Sequence, residues 1–403
     1  MSTKLKKVLV VNTGSSSLKF MLFDITTETM LAKGLVERIG TPKTNFVYQR
    51  AGDPKIEVTV VATNHTDAMK VACDALVDHR MGVLKDLAEV DAIGHRVVHG
   101  GEEFSKPTRI TDSVKECIRA CSVLAPLHNP PNLEGIRACE AVFPETPNVA
   151  VFDTAFHQSM PEHTYLYAIP KSCYQEFGVR KYGFHGTSHK FITQETAKLL
   201  GKPVDQLKVI TCHLGNGSSF AAIDGGKVLD TTMGLTPLAG VIMGTRSGDI
   251  DPGVIFYLNR QGMSLDEINS MLNKESGLLA IAGTGSGDMR ELVNAVAAGS
   301  QEAATALNMF AHRAALFIGG YYAVLGGVDA IIMTGGIGEN SAPAREAIVR
   351  KLKAIGCNLD PEANKAAFGK AGRITTADSA TPVYVLPTNE ELMIARETVQ
   401  TLS

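Results

Sequence analysis

The chain has no G-x-x-x-x-G-K-[ST] loop, the commonest cradle for nucleotide phosphates, and its first glycine-serine turn does not open a helix as a dinucleotide fingerprint would. It has no excess of one charge either. Its 39 Lys and Arg stand against 42 Asp and Glu, a net −3 with no long basic run, which argues against nucleic acid or an anionic membrane as partner. Any cationic site must therefore be local. Long apolar runs are missing: the most membrane-like stretch, 314–328, is about 15 residues long and is interrupted by Gly319-Gly320 and Gly326-Gly327, whereas a span needs roughly 20. That stretch predicts a buried helix, a glycine break and a strand beginning near Asp329. After Lys4, Lys6 and Lys7 the apolar run ends at Asn12, too early for a signal peptide. Paired cysteines are also missing. Seven Cys, an odd number with no C-x-x-C, read as reduced core thiols of a cytoplasmic protein.

What is present is the composition of a packed globular protein, 44% hydrophobic and 20% charged over 403 residues, long enough for two domains. The stretch VLVVNTGSSSLKFMLFD, residues 8–24, runs from an apolar strand through a Gly-Ser-Ser-Ser turn into a second apolar strand. Gly14 allows close backbone approach, the serines offer hydroxyl and amide donors, and Lys19 adds a positive charge. Such a hairpin suits an anion, although a plain Ser-rich hairpin has the same pattern. The motif returns in KVITCHLGNGSSFAAIDGGKVLDT, residues 208–231, where Asp224-Gly225 is a hairpin turn into a third strand. IIMTGGIGEN, residues 331–340, is a third strand followed by glycines. Three such units point to one nucleotide held between two similar halves.

Between these motifs the pattern alternates strands with helices. Residues 46–61 alternate like strands, and 67–80 and 112–123 read as helices. Residues 91–101 form a buried strand with a Gly-Gly turn, Asn132 caps a helix through Val142, and 149–154 is a strand. Thr187 or Ser188 caps a helix to Leu200. The Gly- and Pro-rich stretch 233–253 is long for a loop and therefore a candidate for function. Near the end, 384–386 is a strand, and Thr388 and Glu391 stand at capping-box spacing on the last helix, which leaves Glu390 for chemistry.

Two H-x-x-x-H pairs, His95–His99 and His185–His189, raise the question of a metal; the first has Arg where a zinc protease needs Glu and sits on a strand. Arg96 in a buried strand calls for an anion. Arg246, between Gly244 and Gly248, reads either as an anion contact or as a solvated side chain. Asp153, directly after a strand, reads either as a ligand group or as a turn cap. Anion-binding turns with arginines, a lysine and spare carboxylates fit phosphoryl transfer, which is largely positioning and charge neutralisation.

VNTGSSSLKF, IGHRVVHGG, VAVFDTAFHQSMP, YGFHGTSH, TCHLGNGS, MGLTPLAGVIMGTRSGDIDP, TGGIGEN and PTNEE together closely resemble the acetokinase family, of the acetate and sugar kinase/actin-type superfamily. The resemblance implies an α/β protein of two duplicated actin-like, ribonuclease H-like domains, roughly 1–153 with 390–403, and 154–389, with a nucleotide cleft between them. It implies reversible transfer from ATP to acetate, giving ADP and acetyl phosphate, with Mg²⁺ or alternatively Mn²⁺, in a homodimer. By the same resemblance Asn12 and Glu390 hold the metal, and Lys19 contacts nucleotide phosphates. Arg96 binds the carboxylate, Asp153 is the catalytic aspartate, and His185 and Arg246 stabilise the transition state. The nucleotide lies on His213, Leu214, Gly215, Asn216 and Gly217, on Asp288, Met289 and Arg290, and on Gly336, Ile337, Gly338, Glu339 and Asn340. Val98, Leu127, Phe184 and Pro237 form the pocket for the substrate methyl.

A carboxylate substrate is ionised at neutral pH and needs no base. Asp153 therefore reads better as orienting metal, water or Arg than as a general base. The obstacle is an anion attacking an anion, which Arg96, Arg246, Lys19, His185 and the metal would answer. The alternatives are a propionate kinase, disfavoured by the size of Val98, and a non-enzymatic actin-like ATPase, for which Arg96 and an apolar pocket have no use.

Overall fold

The first glycine-serine segment is a tight hairpin: β1 (Lys7–Gly14) and β2 (Ser17–Asp24) pair antiparallel with Asn12 opposite Lys19. The structure, a computed structural model, describes residues 5–403; Lys4 lies outside the described residues. The chain divides into two units, Met1–Phe156 with Asn389–Ser403, and His157–Thr388.

The first unit continues with β3 (Thr29–Glu37), β4 (Thr44–Arg50), β5 (Ile56–Val60), β6 (Ala92–Val97), β7 (Thr108–Arg109) and β8 (Asn148–Phe152). These make one sheet in the order β5-β4-β3-β2-β1-β6-β8-β7. Strand alternation gives it a core face on which Leu9, Val11, Phe20, Val36 and Tyr48 are buried with residues of the helices His65–Val77 and Asn129–Val142. Gly135 of the second helix lies so close to Thr13 that a Cβ would meet its side chain at 2.4 Å, so only glycine lets this helix seat against β1. The helix Glu390–Leu402 packs on β1, β6 and β8.

The second unit has β9 (Lys208–Leu214), β10 (Ser218–Asp224), β11 (Lys227–Thr231), β12 (Ala330–Thr334), β13 (Gly372–Arg373) and β14 (Val383–Val385), in the order β11-β10-β9-β12-β14-β13. The two sheets share one plan. In each, an antiparallel meander leads from its first strand to a parallel pair (β1 to β6 and β8; β9 to β12 and β14), and a two-residue strand pairs antiparallel at the end. This is the duplicated ribonuclease H-like α/β topology.

Several local expectations need correction. The helix expected over 67–80 is His65–Val77, capped by Asn64. Asn132 is inside the Asn129–Val142 helix, not its cap. The helix expected to start at Thr187 or Ser188 is Gly186–Leu200, with His185 at its N-cap in the left-handed region, φ 58°. The expected helix, glycine break and strand are present, although the helix starts earlier than the apolar run: Gln301–Leu325 passes through Gly319-Gly320, ends at left-handed Gly326 and is followed by β12. The glycines after β12 do not form an open turn but a short helix, Gly335–Asn340. Thr388 and Glu391 form no capping box; Asn389 caps the last helix by accepting from the Leu392 amide. No sequence pattern predicted β3.

Candidate active site

In the first unit the site is built at the ends of neighbouring parallel strands. Arg96 is on β6 and Asp153 immediately follows β8, so pairing of these strands sets the two side chains next to each other. Arg96 donates from Nε at 3.0 Å and from Nη2 at 2.5 Å to one oxygen of Asp153. Asp153 is buried, whereas the Arg96 side chain keeps a quarter of its surface open, enough for an incoming anion. The Asp153 charge holds Arg96 more firmly protonated, against the opposing effect of burial.

Glu390, in the first turn of the last helix, shares the field of this pair. Burial pushes its carboxyl up to about 7; Arg96 and Lys19 act to lower it, Asp153 and Glu391 to raise it. A carboxylate so placed gains from a cation. Glu390 and Asn12 both offer hard oxygen donors, which suit a divalent ion that keeps several waters and shares phosphate oxygens. Among the described residues no group of three or more His, Cys, Asp or Glu is placed to hold a metal ion.

Val98 is buried, but the Leu127 side chain is 72% exposed in the first unit. Sequence reasoning missed how Val98 is held. Buried Asn132 accepts from the Val98 amide at 3.0 Å and donates to the Thr13 carbonyl at 3.0 Å, tying the end of β6 to the end of β1. Asn129 likewise brackets His99, accepting from its amide and donating to its carbonyl. An N-P-P-N run reads as a helix start, and nothing local marks these long-range bonds.

In the second unit, His185 and Arg246 lie around one glycine. A Cβ on Gly217 would come within 3.3 Å of Arg246 Nη1 and 3.6 Å of the His185 ring. Arg246 makes no ion pair among the described residues; its guanidinium has only a long contact to the Pro237 carbonyl, 3.4 Å, and one to Met243 Sδ, 3.8 Å. Burial makes its charge less favourable than usual. A half-buried arginine without a carboxylate is prepared for an anion. The His185 ring stacks on His213 at 4.3 Å. Its Nδ1 is 2.8 Å from Ser219 Oγ, which is in turn 2.8 Å from Nε2 of buried His189, and His189 Nδ1 is 2.6 Å from Thr211 Oγ1. Burial holds His189 well below the ordinary histidine range, so it is neutral. This chain of bonds orients the His185 ring. Ser188, the expected cap, bonds instead to His213 and Thr388.

A cavity of about 700 Å³ adjoins these groups, lined by Gly215 and Asn216, by Asp288, Met289 and Arg290, and by Gly336, Ile337 and Asn340. Three separate stretches singled out in the sequence thus meet at one cavity. Thr245, from the Gly- and Pro-rich stretch 233–253, also lines it, as do Ser286, Ser341 and exposed Phe368, which carried no sequence signal. Leu214 is buried in the core, so only its backbone could serve a ligand. Gly338 is buried too; Phe184 is buried and Pro237 half-buried, and neither lines this cavity. The Glu339 carboxylate accepts from the amides of Gly335 (2.9 Å) and Thr388 (3.1 Å), which makes it a brace for the loop. Gly335 has φ 77° with the Leu214 carbonyl 2.8 Å from where a Cβ would stand, so the turn from β12 into the short helix requires glycine.

The model of the Acetokinase family matches residues 7–396. An acetate kinase of Desulfitobacterium hafniense is 51% identical over 394 residues, 98% of both chains. One of Clostridium kluyveri is 52% identical over 395 residues, 97% of this chain and 96% of its own. Among solved structures, the acetate kinase of Porphyromonas gingivalis superposes with a TM-score of 0.95 at 42% identity, covering 99% of this chain and all of that one. A propionate kinase from Francisella tularensis gives 0.91 at 45% identity, covering 98% of this chain and 99% of that one.

Proposed function

The chain belongs to the acetokinase family, and from that premise we infer that it transfers the γ-phosphoryl group of ATP to acetate, giving acetyl phosphate and ADP. It is a phosphotransferase with a carboxyl acceptor. The observation that carries the acceptor reading is Arg96, charged, partly open and steadied by Asp153. Its Nη1 is not used by Asp153, so the guanidinium still has an edge to offer a carboxylate. Asp153 orients this arginine and takes no proton, since acetate is already ionised.

The donor half of the reaction is assigned to the second unit. The glycine-lined cavity takes ATP, with amides and small side chains around the phosphates. Arg246 and His185 face charge that develops on the transferring group, where a preorganised cation is worth most. Lys19 serves the nucleotide phosphates. A divalent ion, Mg²⁺ with Mn²⁺ as alternative, supplies charge neutralisation on phosphate oxygens, and Asn12 and Glu390 would hold it.

The seven cysteines form no disulfide, which supports a reducing, cytoplasmic setting. No helix among the described residues is long and apolar enough to cross a membrane. A homodimer is supported by apolar side chains that the second unit leaves open, among them Phe256, Tyr257, Leu316 and Val324.

Propionate is the second reading, favoured by the likeness to the propionate kinase structure. Val98 is the residue that would decide, because a smaller side chain there leaves more room. The test is ADP release with acetate, propionate, butyrate and no acceptor. kcat/KM falls in that order, with a methylene worth about 1–3 kcal/mol, and Val98→Ala narrows the gap between the first two. A wild-type preference for propionate would overturn the acetate assignment.

A further inference from the structure

The face of the first unit's meander opposite its core carries a cavity that begins at Asn12 and Lys19 and extends over side chains the reaction does not use. The antiparallel register places Lys19, Leu35 and Val47 in one cross-strand row and Met21, Lys33 and Gln49 in the next. Because side chains alternate along a strand, all six stand on the face opposite the Phe20–Tyr48 core. They line a cavity of about 260 Å³, together with Lys55 and Glu391. Its floor is apolar and half-buried, from Met21, Leu35 and Val47. Its rim is cationic. Lys19 and Lys33 make no ion pair among the described residues, and Lys55 has only a 3.6 Å pair with Glu57. Three ammonium groups around an apolar floor, against the single carboxylate of Glu391, leave a positive balance that nothing in the cavity offsets.

We propose that this cavity binds an amphipathic anion, its straight apolar chain lying on Met21, Leu35 and Val47 and its anionic head among Lys19, Lys33 and Lys55. A medium-chain carboxylate is a small ligand with both parts. Acetate has the head without the chain, and Arg96, the residue proposed to bind it, does not line this cavity. Lys19 and Asn12 are common to this cavity and to the phosphate and metal contacts proposed for them. An occupant therefore inhibits the kinase, a consequence that rests on those roles, whereas binding itself does not.

The test is equilibrium dialysis of the full chain with labelled octanoate, beside octanol, and with excess acetate as competitor. Saturable octanoate binding is expected, undisturbed by acetate and about tenfold weaker for octanol. Lys33→Glu/Lys55→Glu and Val47→Asp should each weaken octanoate about tenfold while leaving kcat without octanoate unchanged. Neither variant touches the core face, and circular dichroism checks that both fold. Displacement by acetate, equal binding in the variants, or no saturable binding would each overturn the assignment. Saturable binding without inhibition would leave the cavity in place and overturn the link through Lys19 and Asn12.

Discussion

Arg96 and Asp153 are 57 residues apart in the chain, yet two guanidinium nitrogens converge on one carboxylate oxygen, Asp153 Oδ2. The carboxylate is buried and the arginine only partly so, which makes the pair a fixed base with an accessible cationic tip. Arg96→Ala should raise the acetate KM far more than the ATP KM. Arg96→Lys should restore it only in part, because an ammonium lacks the planar fork. Steady-state kinetics with each substrate varied decides it, and an effect confined to the ATP KM would remove Arg96 from the acceptor site.

Arg246 has no competing carboxylate and only two long contacts of its own. Arginines that act on a transferring phosphoryl group supply on the order of 10³-fold in rate, about 4 kcal/mol. Arg246→Ala should lose kcat by that order while both KM values change little. Planar metal-fluoride mimics should bind with ADP and acetate to the wild type and poorly to the variant. Near-normal kcat would show that the arginine acts elsewhere.

Asn132 holds two backbone groups at once, the Val98 amide and the Thr13 carbonyl, in a buried position. Asn132→Leu has similar volume but satisfies neither. Leaving two buried groups unpaired should cost roughly 2–4 kcal/mol in stability. The freed Val98 segment should also raise the acetate KM more than the ATP KM. Urea denaturation and kinetics test both; a variant as stable as wild type would show that water replaces the amide.

His95 is buried against Asn148, and burial pushes its pKa down to about 4 from an ordinary 6.5. The folded protein therefore keeps His95 neutral where the unfolded chain takes up a proton. The stability this contributes is complete above about pH 6.5 and is lost as pH falls from there towards 4. A difference of that size corresponds to roughly 3 kcal/mol. His95→Gln should flatten this dependence. Denaturation midpoints at pH 7.5 and pH 5 measure it, and an equal drop in the variant would assign the acid sensitivity to other groups.

The sequence by itself determined what depends on neighbours in the chain. Alternating apolar residues around Gly14–Ser17 and Asp224-Gly225 specify hairpins, because turn chemistry and strand period act over a few residues. The motifs likewise revealed the family and most of the candidate residues. β3 escaped because TMLAKGLVE has Lys33 and Gly34 at its centre, and its register comes from β2 and β4 on either side. The helix starts went wrong where a polar side chain had a better partner far away: Ser188 with His213 and Thr388, Asn132 with Val98 and Thr13. Only the tertiary structure decided that Arg96 answers to Asp153, that Glu339 braces its own loop, and that His185 stands in a left-handed conformation. A buried polar group takes whichever partner the packed fold brings within reach, and that proximity is set by strand order rather than by spacing along the chain.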